Sequence, residues 1–554
     1  MSTLAGGSSI PPPDLILWNG KIFTSNLTNP YAEAIAIRGD RIVAVGESDP
    51  IRDLAGPPTA QVDLGGRTVI PGINDAHMHF DIVPRDSVEL DFGSLNPTWE
   101  TVSRSVSAAV AKAGRGAILL GDIGPSTFCD LRANRESLDL LSENHPIILT
   151  VLTGHAAILN SVALSRFGFR KEDPDPLGGR LERSADDRLS GVLREYAVFE
   201  LMRRIGDSTS DSEAVPRLRA RLAKAAEFGI TSIQNMSNAM TPERCLALLE
   251  QVPTPIRVRV IRMPMTGPRG RDVEEGRPPQ RGRLPLVTQD GTKWVLDGTP
   301  VEGTFEPRLA RGERFANALS VGPSQLEELA WGFPATFPED EIPVILEESL
   351  ADEDPLMLHL SGRPTAASVV AAMEASGGAQ TWASKRVRFE HGDGLSPELL
   401  SRVAKLGVVV VQNPGHFSGL SSSTGLIMQS VQPLRSLLVA NIPVALGSDG
   451  PMNPFLNIML ATTHPNHPSE AVSREQAVVA YTHTSAYAEF AEGEKGSLEP
   501  GKLADVSVLS QDIFSVPTQQ LPRTVSVLTI VGGRVVHNSA FDGLSLPVTG
   551  AKGA

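Results

Sequence analysis

The sequence predicts an α/β fold: a (β/α)8 TIM-like barrel with an insertion after its first strand, joined to a small β-sandwich built from both chain ends. Three observations predict it. Apolar, β-branched runs recur through the middle of the chain, each ending in polar or glycine residues and followed by helix-like sequence, which is the pattern of a parallel sheet. Short alternating runs broken by Gly, Asn and Asp turns occupy both ends instead. At 554 residues the chain is also long for one compact core, so a barrel-sized domain needs accessory parts beside it.

Residues 1–13, rich in Gly, Ser and Pro, read as a disordered tail, as does the terminal LPVTGAKGA. From residue 14 to residue 70 the runs LILWNGKIFT, AIAIRGDRIVAVG and RTVI form a β unit. Residues 495–545 repeat the style in DVSVLS and VSVLTIVGGRVV, so the two ends are expected to share one sandwich around a barrel spanning 71–494. The barrel strands read as TVIPGINDAHMHF, ITSIQNM, IRVRVIRM, TKWVLDG, LMLHLSG, VRFEHG, GVVVVQNPG and IPVALGSDG. That makes about eight, the number that closes such a barrel. The count treats residues 81–225 as an inserted subdomain, although AILLG and PIILTVLT within it also read as strands.

The bulk numbers exclude several classes. A formal net charge of −14 argues against a nucleic-acid partner, since phosphate binding needs clustered Lys and Arg. Only Cys129 and Cys245 occur, so neither a disulfide scaffold nor a cysteine zinc site is expected. The stretch MSTLAGGSSIPPPDLILWNG has no basic region followed by a long apolar run, and no later segment is long enough to cross a bilayer. A cytoplasmic location without a membrane partner is the expectation, with a homodimer left open.

Chemistry concentrates at the strand ends. In VIPGINDAHMHF, His77 and His79 stand two positions apart, so along a strand they point the same way and two imidazoles can reach one cation. The strand assignment adds Lys293, His359, His391 and Asp449 at the ends of strands four, five, six and eight, all on the catalytic face. Burying a lysine ammonium beside a divalent cation is unfavourable, because desolvation and like charge both disfavour the charged form. A neutral Lys293 can instead take up carbon dioxide, and the carbamate is an anionic oxygen ligand able to bridge two metal ions. Asp449, between Gly447 and Gly450, can ligate a metal and carry a proton from water to a leaving nitrogen; a helix cap is the competing reading.

These residues resemble the amidohydrolase superfamily, and within it the amidohydrolase-3 branch that includes N-substituted formamide deformylase and the YtcJ-like proteins. The resemblance spans nearly the whole chain, through LILWNGKIFT, PGINDAHMH, HAAILNSVAL, GVLREYA, KWVLDG, the segments around His359 and His391, GSDGP and KGSLEPGKLADVSVL. It implies a metal-dependent hydrolase with a carboxylated lysine. The chain departs from the branch in reading HLSGRPTA where a GDRA-like turn is usual after the strand-five histidine, and TPVEGTF after DG.

The resemblance also implies that the segment holding His155 and Asn160 reaches the active site, where they could bind substrate or stabilise an oxyanion. Arg194 and Glu195 in VLREYA line the pocket or form a structural ion pair. Asn413 and His416, in VQNPGHF after strand seven, occupy a loop on the catalytic face where they can touch substrate. His464 and His467 sit among prolines where a helical ligand pair cannot form, and His145, His483 and His537 have no coordination context. Residues 267–283, rich in Gly, Pro and both charge signs, read as a solvated connector or a lid.

The function expected is a metal-dependent hydrolase cleaving a carbon–nitrogen bond other than a peptide bond, an amide or N-formyl or N-acyl amine of a small molecule. One or two Zn²⁺ ions are the expected cofactor, with other divalent metals as substitutes. A hydrolytic deaminase or cyclic amidase could use the same residues. A metal-free binding or regulatory protein is the alternative from another class.

Overall fold

A computed structural model of the chain describes residues 11–277, 285–299, 332–418 and 432–541. Residues 1–10, 300–305, 278–283 of the connector and the terminal LPVTGAKGA lie outside it.

Eight strands form one parallel sheet in sequence order: β1 (Ile73–Met78), β2 (Ile230–Ser237), β3 (Arg257–Arg262), β4 (Val287–Val295), β5 (Leu356–Leu360), β6 (Arg388–His391), β7 (Val409–Gln412) and β8 (Val444–Leu446). The sheet nearly closes on itself: the loop after β8 returns to β1, where the Asp449 amide donates to the His77 carbonyl at 2.9 Å. Gly447 permits this approach, because a Cβ there would lie 2.5 Å from the His77 nitrogen. All four residues of β7 and all six of β1 are buried, which explains their continuous apolar or polar-inward character. Helices Pro242–Leu249, Arg363–Ala375 and Pro397–Lys405 return the chain between strands, and Pro454–Thr463 follows β8. Their apolar faces, with Leu248, Val369, Leu399 and Phe455, pack on Val260, Leu358, Phe389 and Val410 of the strands.

Between β1 and β2 a second sheet of six strands is built from residues 87–195, with its own core around Trp99, Val106, Phe128 and Leu149. The runs AILLG and PIILTVLT supply two strands of this sheet, Ile118–Ile123 and Ile147–Val151, and not barrel strands. Helix Asp211–Glu227, at the end of the expected 81–225 insertion, packs against β2 and against the terminal-sheet strands Ser526–Val531 and Arg534–Asn538. Ser210 and Glu213 start it with a reciprocal capping box, which satisfies backbone amides at its first turn.

Both chain ends share one sheet. Strand Thr68–Pro71 pairs with Lys21–Phe23 on one side and with Val506–Leu509 on the other, so the barrel's entry strand is held between the two termini. A four-stranded sheet of residues 15–63 covers it, and Leu17, Ile35, Val62, Val506 and Ile530 fill the space between.

Candidate metal centre

The strand ends gather six of the predicted residues into one cluster. His77 and His79 bring their Nε2 atoms to 3.3 Å from each other. Each ring has its other nitrogen tied to an acceptor: His77 Nδ1 lies 2.6 Å from Glu390 Oε2, and His79 Nδ1 lies 2.8 Å from the Met236 carbonyl. An acceptor at Nδ1 fixes the proton there and leaves the Nε2 lone pair facing inward, the arrangement metal-binding imidazoles need. His391 repeats the device, with Nδ1 at 2.8 Å from Asn413 Oδ1.

Asp449 completes the group. Its Oδ1 lies 3.5 Å from His79 Nε2 and 3.8 Å from His77 Nε2. Donors sharing a tetrahedral ion at bonds of about 2.1 Å stand about 3.4 Å apart, whereas N–H···O hydrogen bonds run about 2.7–3.2 Å. The His77, His79 and Asp449 separations therefore suit a shared cation better than direct hydrogen bonds. Within the described residues His77, His79 and Asp449 form one three-residue group able to hold an ion, and His391, His416 and Asp449 form another.

Lys293 on β4 is buried, with Nζ at 3.0 Å from His77 Nε2. Burial pushes its pKa down, and Arg388 adds to that, although Asp449 and Glu390 oppose it. The histidines move the same way: burial, aided by Lys293, takes His79 down to about 3 and lowers His77. Burial would raise the Asp449 carboxyl, but the surrounding imidazoles and the bond from His416 hold it well below its usual range. His77 and His79, shifted toward neutral imidazole, beside an ionised Asp449 match the protonation states a divalent cation requires, whereas His416, which burial would shift downward, is shifted upward by the Asp449 carboxylate bonded to it. The donor set fits such a cation.

His359 stands at the edge of the cluster. Its ring centroid is 4.6 Å from that of His391, and its Nε2 faces the Gly298 carbonyl at 3.4 Å and Asp297 at 3.6 Å. The HLSGRPTA turn has a physical role here. The Ser361 and Gly362 amides donate to the Asp297 carboxylate at 3.0 and 2.8 Å, tying the end of β4 to the end of β5.

The inserted subdomain reaches this site through His155. Its ring centroid lies 4.6 Å from that of His359, and its Nδ1 is 2.7 Å from Glu195 Oε2. Antiparallel pairing of the strands Ala156–Leu159 and Leu189–Glu195 sets the two residues opposite each other. Glu195 has φ +50°, a strained conformation for a side chain of its size. Asn413 reaches the cluster by holding His391, and His416 does so through Asp449, 3.4 Å from its Oδ2.

One expectation is corrected, and for Arg194 the second of its two readings, a structural ion pair, fits its surroundings. Asn160 does not face the cluster: its Oδ1 accepts from the Ala163 and Ile147 amides, and its Nδ2 donates to the His145 carbonyl. It caps helix Ser161–Arg166 and ties it to the neighbouring strand, so its amide is spent within the subdomain. Arg194 is buried over the Phe128 ring and 3.6 Å from Glu182, a structural setting within the subdomain sheet. Of the other histidines, His464 is buried and not in a solvated loop: its Nε2 donates to the Gln432 carbonyl at 3.0 Å, and its Nδ1 accepts from the His467 amide at 3.0 Å. In the connector, Thr266–Gly267 and Gly270–Arg271 pair as a short ribbon, and Arg271 is anchored by Glu341 and Glu348.

Sequence reasoning missed Glu390 and Arg388. Both are buried, and Arg388 donates to Glu390 at 2.8 Å, to the Ala76 carbonyl at 2.7 Å and to Gln234. Burial would raise the Glu390 carboxyl, but Arg388 and His77 hold it ionised, well below the usual range. The pair therefore fixes His77 from behind.

The model for the amidohydrolase family matches residues 60–537. The chain belongs to that family. As a member of the amidohydrolase-3 branch it is a hydrolase. It is 26% identical to Protein LONG AFTER FAR-RED 3 of Arabidopsis thaliana over 96% of this chain and 93% of that one. It is 25% identical to N-substituted formamide deformylase of Arthrobacter pascens over 94% and 97% of the two chains. Among solved structures, an uncharacterized metal-dependent hydrolase from Pyrococcus furiosus shares the fold with a TM-score of 0.62 at 21% identity, covering 90% of this chain and all of that one. No helix among the described residues is long and apolar enough to cross a membrane.

Proposed function

We propose that this amidohydrolase is a metal-dependent hydrolase of a carbon–nitrogen bond other than a peptide bond, in an N-formyl or N-acyl amine of a small molecule. The inward-facing Nε2 atoms of His77 and His79, 3.3 Å apart and 3.5–3.8 Å from Asp449 Oδ1, carry the reading. His77, His79, Lys293, His359, His391 and Asp449 would hold the metal, with zinc the first choice. A bound divalent cation would supply Lewis acidity and a water acidified toward neutral pH.

The chain's own groups do the rest. Asp449, kept ionised by its neighbours, takes a proton at its carboxylate and returns it to the departing nitrogen. Lys293, whose ammonium form burial disfavours, would form a carbamate from its neutral amine and carbon dioxide: its nitrogen bonds to the carbon, one proton leaves to solvent, and an anionic oxygen pair results. Glu390 and Asn413 keep His77 and His391 oriented. His155, held by Glu195 beside His359, borders the substrate from the subdomain side. The name of the Arthrobacter pascens relative supports a formyl group on nitrogen as the first substrate class to try.

The test is a panel of N-formyl and N-acyl amines with zinc-loaded protein, assayed for the free acid and for ammonia separately. Release of formate or a carboxylic acid supports the reading. Ammonia as the product moves it to a hydrolytic deaminase or cyclic amidase. Protein that binds no metal and hydrolyses nothing would turn the reading toward a binding role.

A further inference from the structure

Asn238, one residue past the end of β2, stands at the catalytic mouth with no part in the metal cluster. Along β2 the side chains alternate. Gln234 receives Arg388 and Arg259 inside the barrel, and Met236 packs there with Ile261 and Met357, while Asn235 turns out to Cys245 of the return helix. Asn238 continues the inward series at the rim. It is tied close to the metal centre, because the Met236 carbonyl that lies 2.8 Å from His79 Nδ1 also accepts the Asn238 amide at 2.9 Å.

Helix Tyr196–Ser208 of the inserted subdomain runs over this mouth from the end of β4 to the end of β2. At its start the Tyr196 hydroxyl accepts the Val295 amide at 3.1 Å, and Phe199 stands edge-on to His155 with ring centroids 5.5 Å apart. Further along, Arg203 donates to the Asn238 carbonyl at 3.2 Å, and a Cβ on Gly206 would sit 1.9 Å from the Ala239 carbonyl oxygen. Between these points Met202 brings its Sδ to 3.5 Å from Asn238 Nδ2, a weak partner for an amide. The Asn238 oxygen fares worse. Oδ1 is buried, the residue is 7% exposed, and among the described residues no group donates to that oxygen. A buried carboxamide oxygen without a donor is destabilising, and such a group at a strand end on the catalytic face points to a ligand.

We propose that Asn238 Oδ1 accepts the N–H of the amide to be cleaved, so that the enzyme takes N-monosubstituted formamides and amides and rejects N,N-disubstituted ones. The inference rests on the hydrolase reading above and narrows its substrate class. A carboxamide oxygen offers lone pairs and no proton, so the group that completes it must be a donor. A secondary amide carries one N–H on the scissile nitrogen, and a tertiary amide carries none. Reaching the oxygen takes a shift of Met202, an unbranched, half-buried thioether able to swing aside. With a tertiary amide bound, Oδ1 stays unpaired and faces the second substituent on nitrogen, which makes the discrimination large.

Full-length, zinc-loaded protein assayed for formate release from N-butylformamide and from N-butyl-N-methylformamide tests this. Wild type should favour the first in kcat/KM by at least about 100-fold. Asn238→Leu, which keeps the volume and removes the oxygen, should lower kcat/KM on the first by about 10–100-fold and bring the ratio toward one. Asn238→Ala should repeat that kinetic result. Stripped of metal and free of substrate, Asn238→Leu should unfold at a urea midpoint no lower than wild type, because it loses an unsatisfied polar group, and its zinc affinity should stay within about threefold. Equal hydrolysis of both formamides by wild type overturns the proposal and leaves the hydrolase reading standing. So does a loss in Asn238→Leu shared equally by both substrates, or a lowered urea midpoint with an unchanged ratio, which would mark a structural residue. Weakened zinc binding in Asn238→Leu also overturns it, since Asn238 would then act through Met236 and His79. Zinc-bound wild type that releases formate from neither compound defeats the hydrolase reading itself, and the proposal with it.

Discussion

Glu390→Gln removes one charge and almost no volume from behind His77, and its two consequences can be separated. The Glu390 carboxylate serves His77 Nδ1 at 2.6 Å and the Arg388 guanidinium at 2.8 and 3.2 Å. A glutamine offers one acceptor oxygen and cannot serve both partners ionically. Losing the carboxylate behind a ligand imidazole costs about 10–100-fold in metal affinity, about 1.4–2.8 kcal/mol at about 1.4 kcal/mol per decade. Leaving the Arg388 guanidinium, 1% exposed, without its counter-charge costs about 3–5 kcal/mol of stability. Adding Arg388→Met should recover part of the stability and none of the affinity. Zinc competition against a chromophoric chelator measures the first effect, and urea unfolding of the stripped protein measures the second. A Glu390→Gln protein that is less stable but binds zinc within twofold of wild type would refute the reasoning, because Glu390 would then serve Arg388 alone.

Asp449→Asn should lower turnover by about 10²–10⁴-fold, with metal content measured on the same sample; turnover within threefold of wild type would remove Asp449 from proton transfer. Asn160→Ala should destabilise the protein by about 1–3 kcal/mol through the lost cap and the orphaned amides, with KM unchanged. A raised KM at full stability would return Asn160 to the substrate. Burial pushes the Asp297 carboxyl up to about 7 from its ordinary 3.8. Between those values the folded metal-free protein keeps a proton that the unfolded chain has lost, so stability from this group falls as pH rises from about 4 to 7 and is level above. Melting temperatures of metal-stripped protein across that window should show the fall in wild type and not in Asp297→Asn; equal slopes would contradict the assignment.

The barrel was legible because each strand announces itself twice, once by an apolar run such as Val408–Val411 and once by the polar residue that ends it. The ligand cluster followed from that, since a barrel brings strand ends together whatever lies between them. Glu390 was not legible for a conformational reason. Strand alternation sends Glu390 and His391 to opposite faces, so placing His391 inside implies Glu390 outside. The +66° φ of His391 breaks the alternation and lets both point inward. Asn160 was misread because an Asn followed by a helix fits a cap and a substrate contact equally well, and only its bonds to Ile147 and His145 decide between them. The boundary of the insertion blurred because helix Asp211–Glu227 precedes β2 in sequence as an insertion end would, yet packs on β2 and on the terminal sheet alike.

The most direct test of the account is metal content and hydrolysis of an N-formyl amine, measured on one preparation as purified, after chelation and after zinc is returned. The account predicts that metal and activity vanish together on chelation and return together, and that His79→Ala protein recovers neither. Full activity in protein stripped of metal, or zinc binding unaffected by His79→Ala, would contradict it.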